Sequence, residues 1–209
     1  MSDFTAQNFP VAAGDDDENP KKKRGDSLFD AMRRTRTILF SSDVNSKSVR
    51  ECIEKLLVLE ADDADKPITI LLNSPGGSVS DGYALVDVIR FIRPPVRVVG
   101  AGMVASMGIS LILSVPAERR FSLPSTRFML HQPRFMGLVT GQISDLEITA
   151  IEMVKMKDKS NREVAERTGQ SIEKIEQDTK RDLWLSATEA KEYGIVSAVI
   201  ESVRDIPEA

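Results

Sequence analysis

Two apolar runs, each ending in a turn and each followed by a helical pattern, most constrain the fold of this chain. The first is ITILLN, Ile68–Asn73, closed by the turn SPGG, Ser74–Gly77. The second is VRVVGAGM, Val96–Met103. A continuous apolar strand reads as one buried on both faces, as in a parallel sheet covered by helices. Ser46–Asp62 is an amphipathic helix, Ser78–Ile92 is a helix stopped by Pro94–Pro95, and Ser106–Ser114 reads as the helix after the second strand. A helix is expected at Ser27–Arg36 with Asp26 as its cap. Strands are expected at Thr37–Val44, at Ser125–Gln132 and in the closing IVSAVIES, Ile195–Ser202. The alternation predicts an α/β fold with parallel strands joined by helical crossovers.

One long helix follows. Ser144 and Glu147 have capping-box spacing, and Ile148, Ile151, Met153, Val154 and Met156 carry an apolar pattern to about Gly169. A projecting helix that meets another chain accounts for both the length and the apolar positions; a long core helix is the competing reading. Two shorter helices are expected at Ser171–Asp182 and Ser186–Gly194, the second with Ser186 and Glu189 as capping box and Gly194 as its stop. Residues 1–25 are different material: GDDDENPKKKRGD, Gly14–Asp26, sets an acidic block against a basic one with few apolar residues. Such a segment cannot offset its own ordering entropy and is expected as a mobile arm, with 26–209 as one domain.

Composition narrows the function classes. The net charge of −4 gives no electrostatic reason to expect nucleic acid or an anionic membrane as partner. The single cysteine, Cys52, excludes an intrachain disulfide and fits a reducing, cytoplasmic compartment. No apolar run approaches the roughly 18 residues of a membrane span, and no secretory signal is expected. One histidine and one cysteine supply no recognisable metal-ligand spacing.

Three stretches can carry chemistry. In NSPGGSV, Asn73–Val79, the glycines leave backbone N–H groups unshielded, and such groups can bind an oxyanion. In ASMG, Ala105–Gly108, a strand gives way to a helix, so Ser106 faces the helix N-terminus and the Met107 amide is a free donor. On this stretch alone a helix cap is the stronger reading of Ser106, ahead of a catalytic one. In FMLHQP, Phe128–Pro133, His131 ends an apolar strand and is the only imidazole available to a Ser-His pair. A base of this kind needs an acid to hold its tautomer. Asp178 and Asp182, one helical turn apart on the expected Ser171–Asp182 helix, are both candidates, and spacing does not choose between them.

Taken together, LLNSPGGSV, ASMG, FSLPSTRFMLHQP and TGQSIEKIEQDTKRDLWLSATEAKEYGIV resemble the ClpP family of ATP-dependent serine proteases, in the family's order, over about residues 27–203. The resemblance implies a crotonase-like head of repeated ββα units with a long protruding handle, about residues 134–170. It implies Ser106 as nucleophile, His131 as base, Asp182 as acid, and the amides of Gly77 and Met107 as oxyanion donors, with no cofactor and no metal. It also implies a serine endopeptidase that cuts unfolded polypeptides inside two stacked seven-fold rings, of this chain alone or mixed with a paralogue. The arm would lie near the axial pore or be removed as a pro-segment. Arg181 and Asp145 match family positions that link ring contact to the active site. No GxxxxGK[ST] occurs in the chain, so a separate AAA+ unfoldase, ClpX- or ClpA-like, is the implied partner.

Some positions depart from the family pattern. Val104 is bulkier than the usual residue and is expected to crowd the substrate pocket; the Ser114–Pro124 loop lacks the usual glycines; Arg134–Gln142 is about two residues longer. Three other readings compete: a catalytically silent structural subunit of a mixed ring, a crotonase-type enzyme acting on an acyl-CoA thioester, and a membrane-linked signal-peptide peptidase with a Ser-Lys dyad. The second needs a carboxylate pair near the glycine turn, and the third needs an anchor.

Overall fold

A computed structural model describes residues 30–134 and 140–207. It divides into two units, Met1–Thr35 and Arg36–Ala209. In the first, residues 30–35 are helical (α1), and the Thr35 hydroxyl donates back to the Ala31 carbonyl at 3.1 Å. The expected arm, residues 1–25, lies outside the described residues.

In the second unit the described strands form one sheet: β1 (Thr37–Ser41), β2 (Ile68–Ser74), β3 (Val96–Ala105), β4 (Arg120–Ser122), β5 (Arg127–Leu130), β6 (Leu183–Ser186) and β7 (Ala198–Val199). The order β1-β2-β3-β4-β7 is parallel throughout. β5 pairs parallel with the end of β3 and antiparallel with β6, so the sheet is not purely parallel. The helices are α2 (Ser46–Asp62), α3 (Val79–Phe91), α4 (Met107–Ile112), α5 (Ile143–Thr168), α6 (Ile172–Asp178) and α7 (Ala187–Tyr193). α2 spans the residues its pattern predicts, capped by the Asn45 side chain and buried along Val49, Cys52, Leu56 and Leu59. α7 has the expected Ser186–Glu189 capping box and ends at Gly194 in the left-handed conformation.

The expectation that Ile68–Asn73 is buried on both faces is not met. Ile68, Ile70 and Leu72 enter the main core under the helices, whereas Thr69 and Leu71 are half-buried. Among the described residues, the opposite face carries a small cluster of Val99, Phe121 and Ile200 with Leu71, Leu123 and Ile206 against it, and no helical layer closes it. Two helix boundaries also differ. α5 starts at Ile143 after Gln142, with no side-chain cap, so Ser144 lies inside the first turn and the Ser144–Glu147 box does not form. α6 stops at Asp178, where the Thr179 hydroxyl bonds back to the Ile175 carbonyl at 2.7 Å, and Asp182 lies beyond the helix, next to β6.

α5 is a helix of 26 residues, roughly 39 Å long at ~1.5 Å per residue. Only Asn161 and Val164 are buried on it, near its C-terminal end. Ile143, Ile148, Ile151 and Val154 are exposed. Within this chain it is therefore not a core helix. Its last turn is tied down by the buried Arg120, which donates from Nη1 to the Arg167 carbonyl at 2.7 Å and from Nε to the Val115 carbonyl at 2.8 Å. Among the described residues no helix is long and apolar enough to cross a membrane.

Arg36 anchors the entry to β1. It has φ 49°, which is unfavourable for a side-chain-bearing residue. Its guanidinium donates to four carbonyls at the end of α2 and beyond: Leu59, Asp63 and Lys66 at 2.9 Å each, and Pro67 at 3.2 Å. Arg36→Ala is expected to lower stability by about 2–3 kcal/mol, read as the urea midpoint, because charged hydrogen bonds of this kind contribute more than neutral ones. Arg36→Gly loses the same bonds but not the φ freedom, and should recover about 1 kcal/mol of that loss.

Candidate active site

The site starts with how β2 and β3 end. They are paired in register from Ile68–Val96 to Leu72–Gly100; then Ser74 pairs with Val104, so β3 carries extra residues. This bulge is held by Asn73. Its Oδ1 accepts the Met103 N–H at 3.1 Å, and its Nδ2 donates to the Ser41 hydroxyl at 3.1 Å. Gly102 turns the chain there at φ 68°. The bulge redirects the end of β3, so that Ala105–Met107 runs against the turn after β2. A Cβ on Gly76 would lie 2.6 Å from the Ser106 Cβ, 2.7 Å from the Ala105 carbonyl and 2.9 Å from the Met107 nitrogen. Only glycine permits that approach.

Ser106 is not a helix cap. Its side chain makes no capping bond, and its backbone sits at φ 55°, ψ −120°. A non-glycine residue in that region carries strain of about 1–3 kcal/mol. The strain is held by the Ser106 N–H, which donates to the Met129 carbonyl of β5 at 2.9 Å. The result is a sharp strand-to-helix turn that presents the hydroxyl. That hydroxyl lies 2.7 Å from His131 Nε2. His131 follows β5 directly, and its side chain is 10% exposed.

The aspartates separate cleanly. Asp178 is bound by Lys174 and by the Tyr193 hydroxyl, the latter at 2.8 Å; burial pushes its carboxyl up, but these two bonds outweigh it and hold it below the ordinary range. Asp182 is the one that meets the imidazole. Leu130 of β5 pairs with Leu183 of β6, so the next residues outward, His131 and Asp182, face each other. Asp182 Oδ1 is 3.7 Å from His131 Nδ1, longer than a hydrogen bond, and its side chain is 48% exposed.

Among the described residues, the N–H groups of Gly77 and Met107 donate to no backbone carbonyl in the turns and loops. The Val44 N–H donates to the Gly76 carbonyl and the Ser78 N–H to the Val44 carbonyl, both at 2.8 Å. This bridge pins the turn while the N–H of Gly77 between them points away from Val44. The Met107 N–H opens α4 and has no intrahelical acceptor. α4 is a helix of six residues, so the local N–H matters more than any macrodipole. The geometry brings the Ser106 hydroxyl to the His131 imidazole, with the Asp182 carboxylate 3.7 Å from the ring and the glycine turn after β2 packed against Ala105–Met107.

Val104 does not crowd this space. It is fully buried and in register with Phe128, packed into the core between β3 and β5. The lengthened segment after His131 lies partly outside the described residues, at 135–139. Asn73 holds the bulge, a role the sequence alone does not assign to it: a polar residue closing an apolar strand just before a turn is indistinguishable from an ordinary turn residue without β3 beside it.

The pKa of His131 is lowered from 6.5: burial is the largest cause and the Arg134 charge adds to it, while Asp182 opposes both. With one histidine in the chain, its ring protons give a single NMR titration. The midpoint is expected below 6.5; Arg134→Gln should raise it, and Asp182→Asn should lower it further.

Comparison with known proteins gives the family. The Clp protease family model matches residues 20–203. The ATP-dependent Clp protease proteolytic subunit 1 of Bacillus cereus is 42% identical over 179 residues, 86% of this chain and 92% of the relative. The ATP-dependent Clp protease proteolytic subunit 3 of Rhizobium johnstonii is 42% identical over 195 residues, 92% of this chain and 99% of the relative. Among solved structures, a mutant ClpP1 from Listeria monocytogenes superposes with a TM-score of 0.79 at 44% identity, covering 86% of this chain and 99% of that one. With a parallel bulged sheet, a 26-residue projecting helix and a family match over nearly its whole length, this chain belongs to the Clp protease family.

Proposed function

We propose that the chain is a serine endopeptidase subunit of an ATP-dependent Clp protease. The observation that carries this reading is the 2.7 Å approach of His131 Nε2 to the hydroxyl of Ser106, held on a strained turn. Ser106 attacks the peptide carbonyl, and His131 takes its proton and returns it to the leaving amine. The oxyanion binds the amides of Gly77 and Met107. Asp182 orients the imidazole and stabilises its charged form. The depressed basicity of His131 keeps it neutral, and so competent as a base, down to pH below 6.5. The substrate class is unfolded polypeptide, delivered by an AAA+ unfoldase into a chamber of two seven-fold rings. The relatives' names as ATP-dependent proteolytic subunits support that partnership.

A second reading is favoured by one observation. The contact between Asp182 and His131, at 3.7 Å, is not closed. A subunit that gains its third contact only beside another subunit or a paralogue would have this geometry.

Intact mass after treatment with a fluorophosphonate separates the two. An adduct on the isolated parent and none on Ser106→Ala supports the first reading. An adduct that appears only with an added paralogue or unfoldase supports the second. For an active assembly, His131→Ala is expected to cut peptide hydrolysis by about 10⁴–10⁶-fold, and Asp182→Asn by about 10²–10⁴-fold. The acid limb of the pH–rate profile should fall below 6.5 and move up in Arg134→Gln.

A further inference from the structure

We propose that Glu163 is a positioning residue for this reaction, clamping from α5 the two helices that begin at the oxyanion donors. The inference rests on the reading of Ser106 as nucleophile.

α3 begins two residues after Gly77, and α4 begins at Met107. The two helices touch near their starts, where Gly82 leaves room for the Met107 side chain; a Cβ there would overlap it. Tyr83 is the next residue. Its hydroxyl donates to Glu163 Oε2 at 3.2 Å, and Arg90, two turns further along α3, donates from Nη2 to Glu163 Oε1 at 2.7 Å. Both oxygens of one carboxylate on α5 are thus engaged by α3. The α4 side joins through Arg90, whose Nε donates to the Ser114 carbonyl just past α4 at 3.2 Å. Lys159, one turn before Glu163, sits 3.9 Å above the Tyr83 ring.

The Glu163 side chain is only 11% exposed, whereas Arg90 is 35% exposed. A cavity of about 340 Å³, also lined by Asp87, Arg162 and Glu166, opens the cluster to solvent on the Arg90 side. A charge pair half-open to water adds little to stability, but a carboxylate with two directed bonds fixes geometry. The geometry at stake is the relative placement of the Gly77 and Met107 amides, for which small displacements are costly in rate.

The test compares Glu163→Gln and Tyr83→Phe with the parent, as full chains in the assembly in which the parent is active. Arg50→Ala, on an exposed surface pair, is the control. Hydrolysis of a fluorogenic peptide gives kcat and KM, and fluorophosphonate labelling of Ser106 gives a second rate. Glu163→Gln is expected to lower kcat and the labelling rate about tenfold, and Tyr83→Phe about threefold, with KM within about twofold. A merely structural role would move the melting midpoint and leave kcat unchanged well below it. If both variants keep the parental kcat within about twofold while the parent labels, the proposal is overturned and the reading of Ser106 stands. If the parent never labels at Ser106, alone or with partners, that reading fails and the proposal goes with it.

Discussion

Everything at the site depends on β2 and β3 lying parallel and side by side. Parallel pairing brings the carboxyl ends of both strands to one edge of the sheet. Without a bulge they would finish level, and the two following turns would pass each other. The extra residues of β3, pinned by Asn73, bend one strand end toward the other until Gly76 and Ser106 are in contact. The glycine turn after β2 and the Ser106 turn are then neighbours, although Gly76 and Ser106 are 30 residues apart in sequence. The strained backbone of Ser106 is a cost of that arrangement, sustained by the hydrogen bond from β5.

The electrostatics of the imidazole are a contest of opposing influences. Burial disfavours its charged form, Arg134 disfavours it further, and Asp182 favours it. Asp182 is half-exposed and just beyond hydrogen-bonding distance, so its field is weakened by water. A closer Asp182 would do two things at once: raise the basicity of His131 and lock its ring. The structure therefore places the sensitive variable of this site on the Asp182–His131 contact, not on Ser106.

Much of the fold was legible in the sequence, because periodicity and caps are local. α2 and α7 follow their apolar spacing and their capping residues, and Gly194 stops α7 by a conformation that glycine favours. Ser106, His131 and Asp182 lie in segments whose family pattern is recognisable, yet their proximity is not a local property. Spacing could not choose between Asp178 and Asp182, because that choice is made by where α6 ends and by Lys174 and Tyr193 taking Asp178. Nor could it show that Ile68–Asn73 has one half-open face, since an apolar run carries no record of which side the helices occupy. The Ser144 cap failed for a similar reason: a helix that starts two residues early moves the serine inside it.

One short strand serves all three polar groups. β5 carries His131 at its end, its Met129 carbonyl holds the Ser106 N–H, and its Leu130 pairs with Leu183 beside Asp182. A displacement of β5 is therefore shared by Ser106, His131 and Asp182. Their separations respond to differences in motion, and a common motion cancels. The site is insulated from vibration of the sheet as a whole, in the way an optical bench protects an interferometer: alignment survives because every component is bolted to the same rail.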